Sequence, residues 1–63
     1  MNFSLFFNEN ANKNVRVTMT DGEIFEGQLH TYISEIDNDP DPESIVVSSI
    51  ELFTNEIKEI SIV

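Results

Sequence analysis

The chain contains no cysteine and no tryptophan, and among its 63 residues only two are glycine, two proline and three lysine or arginine. Each scarcity excludes something. Without cysteine there is neither a disulfide nor a thiolate metal site, so packing or association must hold so small a domain together. A chain of this length buries only about 60% of its unfolded surface, close to the lower limit for folding alone. Three bases against twelve acids leave a net charge of −9. That balance argues against nucleic acid as a partner, because phosphate binding draws its affinity from Lys and Arg. The three bases, Lys13, Arg16 and Lys58, are scattered in sequence. No run nears the ~20 apolar residues of a membrane-spanning helix. Residues 1–13 have neither the basic start nor the apolar stretch of a secretion signal. We therefore expect a cytoplasmic protein of one domain, residues 1–63, with no membrane association.

What is present is alternation. Val15, Val17 and Met19 point one way while Arg16, Thr18 and Thr20 point the other, the period of a half-buried strand. Asp21-Gly22 then predicts a tight hairpin turn. Phe25, Gly27 and Leu29 continue the period on a second strand that runs to Ile33, and the central glycine predicts a sharp bend or bulge. Upstream, residues 2–7 predict a brief helix, capped by Ser4 or Asn2, or an extended lead-in, either of which lays Phe3, Phe6 or Phe7 across one opening of the core. The asparagine-rich tract after it reads as loop. Downstream, Pro40 and Pro42 bar a strand through residues 34–43. Strands resume at Ile45–Val47, turn at Ser48-Ser49, continue through Ile50–Phe53, break in a 3₁₀ turn at Thr54–Glu56, and finish with Ile57–Val63. Five short strands with no helix able to cover a sheet predict a mainly β fold, a small, strongly bent five-stranded barrel.

Candidate chemistry is sparse. Glu35, Asp37, Asp39, Asp41 and Glu43 alternate through the loop, and the opening spacing mimics a calcium loop. Pro42 stands where that loop requires glycine and Ser48 where it requires glutamate, so an EF-hand is excluded. The loop is expected to be solvated and mobile. His30 has no second histidine or cysteine to share a metal, and Tyr32 lacks the interleaved bases of a nucleic-acid platform. Arg16 is placed to pair with Glu23 or Glu26 across the hairpin. No cofactor and no enzymatic activity are expected.

The run Val15-Arg16-Val17-Thr18-Met19-Thr20-Asp21-Gly22, followed by Phe25, Gly27, Leu29 and Tyr32, resembles the first motif of Sm-like (LSm) proteins. The resemblance covers Asn14 to Tyr32 well and the remainder only in pattern. It implies a bent five-stranded barrel whose fourth strand pairs with the fifth strand of a neighbouring copy. The edge residues would then be Ile50, Leu52, Phe53, Ile60 and Ile62. The family's RNA contacts do not carry over. Asp37 and Asn38 are adjacent rather than spaced, and Leu52–Glu56 holds neither arginine nor glycine. The expected function is a non-catalytic binding or assembly module that pairs strand edges with itself or with a protein partner. The alternatives are a divergent RNA-binding Sm-like protein and an acidic mimic of nucleic acid that inhibits a basic partner.

Overall fold

A computed structural model describes all 63 residues. Helix α1 (Phe3–Asn10) precedes five strands: β1 (Asn14–Met19), β2 (Ile24–Ile33), β3 (Ser44–Val47), β4 (Ile50–Phe53) and β5 (Ile57–Ile62), with a 3₁₀ turn at Thr54–Glu56. All neighbours pair antiparallel in one sheet of order β4-β3-β2-β1-β5. Alternation places the core. Val15, Val17 and Met19 from β1 meet Leu29, Ile45, Val47, Leu52 and Ile60 in a single buried cluster. In a flat five-stranded sheet the outermost strands would lie about 19 Å apart. Here Leu52 of β4 and Ile60 of β5 join one core, so the sheet curls around it. Strand β2 makes this possible by serving two ladders, pairing β1 over Ile24–Gln28 and β3 over Leu29–Ile33.

The helix is longer than the pattern predicts. It spans eight residues and takes in Asn8–Asn10, which read as loop from sequence. Asn2, not Ser4, is the cap, its Oδ1 accepting the Leu5 N–H at 3.0 Å. Asn10 donates from Nδ2 to the Phe6 carbonyl at 3.0 Å and tightens the last turn. Phe3, Phe6 and Phe7 all pack against the core, so tertiary burial rather than propensity stabilises this short helix. Asn12 then takes a φ of 68°, a conformation asparagine tolerates, and its N–H donates to the Leu29 carbonyl at 2.8 Å. Asn2→Ala should cost about 1 kcal/mol and lower the melting temperature by roughly 4–8 °C. An unchanged thermal melt would show that the cap contributes nothing.

The first hairpin turn falls at Asp21-Gly22 as expected. Its loop holds three residues, because the Met19 N–H donates to the Glu23 carbonyl and leaves Thr20, Asp21 and Gly22 between them. Only Gly22 has positive φ, at 94°. Asp21 accepts the Glu23 N–H through Oδ1 at 2.9 Å, which holds the third loop residue in line.

Gly27 acts by close approach. A Cβ there would lie 2.1 Å from Ser48 Oγ, 3.2 Å from Ser48 Cβ and 3.3 Å from Val47 Cγ1. The predicted bulge is in β2 but not at the glycine, since the register shifts between Leu29 and Thr31. Gly27 lets the β3–β4 turn settle against β2, where the Ser48 N–H donates to the Gln28 carbonyl at 2.8 Å.

Candidate interaction edges and cleft

Strand order leaves β4 and β5 as the two margins of the sheet, with no ladder joining them. Hydrogen-bonding direction alternates along an antiparallel strand. The Thr54 N–H donates inward to the Glu43 carbonyl, so Ile50 and Leu52 also bond toward β3, while the N–H and C=O of Glu51 and the N–H of Phe53 face outward, the Phe53 C=O opening the 3₁₀ turn. On the other margin the Val63 N–H donates to the Asn14 carbonyl at 3.1 Å. By the same alternation, the backbone groups of Ile60 and Ile62 face away from β1.

The five residues expected at these edges divide by side chain. Leu52 and Ile60 are buried and serve the core. Phe53 is half-buried. Ile50 and Ile62 are 45% and 46% exposed, and Val63 beyond them is 55% exposed. Ile50 and Ile62 are therefore the side chains available to a pairing strand, whereas Leu52 and Ile60 shape the core beneath it.

Two polar clasps hold the β4 margin in place, and the sequence did not reveal either. In the first, Glu51 Oε2 accepts from Ser44 Oγ at 2.7 Å and from Asn38 Nδ2 at 3.1 Å, and Asn38 Nδ2 also reaches the Pro42 carbonyl at 2.8 Å. Ser44 is fully buried, so its hydroxyl requires such an acceptor. The acidic loop, expected to be loose, is tied back to β4 through Asn38. In the second, Glu43 accepts the phenol hydrogen of Tyr32 and, at 2.8 Å, the hydroxyl of Thr54. The hydrogen bond to Glu43, partial burial and the nearby negative charge together push the Tyr32 phenol up to about 12. A single small polar residue opening an apolar run, as Ser44 does, was the one available signal.

Between the hairpin tip and β4 lies an open cleft of about 380 Å³. Met19, Phe25, Ile50 and Leu52 supply its apolar lining, and Asp21, Glu23, Glu51, Glu56 and Thr20 complete it. A second cleft, about 280 Å³, separates the start of α1 from β5 and includes Phe3, Ile57 and Lys58.

The three bases occupy different parts of the molecule. Lys13 lies in the link before β1, 3.4 Å from Asn10 Oδ1. Arg16 on β1 pairs with Glu26 at 2.6 Å, one of the two partners expected. Lys58 sits at the start of β5. His30 is exposed on β2. The loop carboxylates Glu35, Asp37, Asp39 and Asp41 do not converge, and no three acidic or histidine side chains form a group that could hold a metal ion. No helix is long and apolar enough to cross a membrane. No family model, curated protein or solved structure matches the chain.

Proposed function

We propose that this protein is a non-catalytic, Sm-like binding and assembly module of the cytoplasm, acting by strand addition to its β4 and β5 margins. The partner strand comes from a second copy or from another protein. The observation that carries this reading is that both margins present outward backbone groups, the N–H and C=O of Glu51, Ile60 and Ile62 and the N–H of Phe53, beside the exposed side chains of Ile50 and Ile62. Unpaired strand edges of this kind template pairing with another chain. The Sm-like resemblance is supported by the helix before β1 and by margins that fall on the fourth and fifth strands. Like charge opposes self-pairing, but at physiological salt that repulsion is screened within about 8 Å.

Light scattering tests the reading. The protein should show a mass that rises above the 7.2 kDa monomer with concentration. Ile62→Pro should return it to monomer, because that residue's N–H points outward and the ladder to β1 does not need it. A strict monomer from about 1 to 100 μM, unaffected by Ile62→Pro, removes self-pairing.

A further inference from the structure

The cleft beside β4 differs from the rest of the surface. Its apolar floor of Met19, Phe25 and Leu52 opens at a free strand edge, and its volume of about 380 Å³ falls within the roughly 300–1,000 Å³ of ligand clefts. Four of its nine lining residues are acids and none is a base. The one ion pair in the molecule, Arg16 with Glu26, lies outside it. Unneutralised carboxylates around a low-dielectric concavity focus a negative potential there. A long basic side chain satisfies both halves of such a site. Its aliphatic stem covers apolar carbon while its charged head remains among the carboxylates, and a guanidinium beside Phe25 gains a further cation–π attraction.

We propose that this cleft seats an arginine or lysine side chain carried on a foreign strand that pairs with the β4 margin. The inference rests on the strand-addition reading and specifies the partner: an extended segment alternating apolar and basic residues. A second copy fits less well. It brings its own charge of −9, and its β5 strand sets Glu59 directly beside Lys58.

The test uses three blocked seven-residue peptides that alternate valine with arginine, glutamine or glutamate, titrated into the whole ¹⁵N-labelled protein. The arginine peptide should shift the amides of Glu51 and Phe53 together with those of Met19, Phe25 and Glu56. It should bind about tenfold more tightly than the glutamine peptide and weaken as salt rises. Glu23→Gln and Glu56→Gln remove cleft carboxylates that take part in no hydrogen bond or ion pair within the chain. Each should weaken the arginine peptide about threefold and leave the glutamine peptide unchanged. Equal affinity of the arginine and glutamine peptides, with shifts at Glu51 and Phe53, overturns the basic-seat proposal and leaves strand addition standing. Arginine-peptide shifts spread over the acidic loop and absent from the cleft also overturn it. Failure of every peptide to move Glu51 and Phe53 overturns both the seat and strand addition by foreign chains.

Discussion

Replacing Gly27 with valine should lower the melting temperature by roughly 12–24 °C. A Cβ at this position would meet Ser48 Oγ at 2.1 Å, with Ser48 Cβ and Val47 Cγ1 at 3.2 and 3.3 Å behind it. A hydroxyl can rotate away from one methyl group, so Gly27→Ala should cost only about 1–2 kcal/mol. The branched side chain has no such outlet, because the β3–β4 turn is pinned by the Ser48 N–H bond to Gln28. Its cost of about 3 kcal/mol or more compares with roughly 3–9 kcal/mol of total stability for a chain this long. Ser48→Gly provides the control. It removes the colliding hydroxyl and relaxes a residue held at a φ of 56°. The double variant Gly27→Ala with Ser48→Gly should therefore be more stable than the two single effects added together. A valine variant that melts within a few degrees of the parent would refute the close-approach role.

The second large effect concerns Glu43. The single tyrosine makes the protein its own indicator, since alkaline absorbance reports Tyr32 alone. Its ionisation midpoint should lie near 12 rather than the ordinary 10.0. Glu43→Ala should bring that midpoint back toward the ordinary value and cost about 1–3 kcal/mol, because the Tyr32 and Thr54 hydroxyls both lose their acceptor. The raised midpoint also fixes the pH dependence. The neutral phenol is favoured in the fold, so its stabilisation is complete below pH 10 and disappears as pH rises through 12. Denaturant unfolding of the parent and of Tyr32→Phe should differ most at pH 8 and progressively less at pH 11. A midpoint that stays near 12 in Glu43→Ala would show that some other group raises it.

These two sites mark the boundary of what a linear reading reaches. Alternation at Val15–Met19, the breaks at Pro40 and Pro42, and the 3₁₀ turn at Thr54–Glu56 are local signals, and the fold follows them. The hairpin was legible at Asp21-Gly22, but its length was not. A bond from Met19 to Glu23 decides between two loop residues and three, and asparagine-tolerant helix ends are equally silent about where α1 stops. Gly27 announced a constraint without naming its partner, which lies in a turn far along the chain. The cleft escaped notice because Met19, Phe25, Leu52 and Glu56 come from four separate segments that only the curl of the sheet assembles. The acidic loop reads as solvated and mobile because nothing in its composition marks Asn38 as the side chain that ties it to β4.

The open seam between β4 and β5 has a consequence for handling the molecule. If the margins pair as proposed, mutual repulsion of twelve carboxylates opposes unlimited zipping of the two bare selvedges into fibres, most strongly at low salt. Acid cancels that repulsion near the isoelectric point of about 4.1 and also loosens the Glu43 and Glu51 clasps on β4, so turbidity is expected to rise more steeply on acidification than on warming at neutral pH.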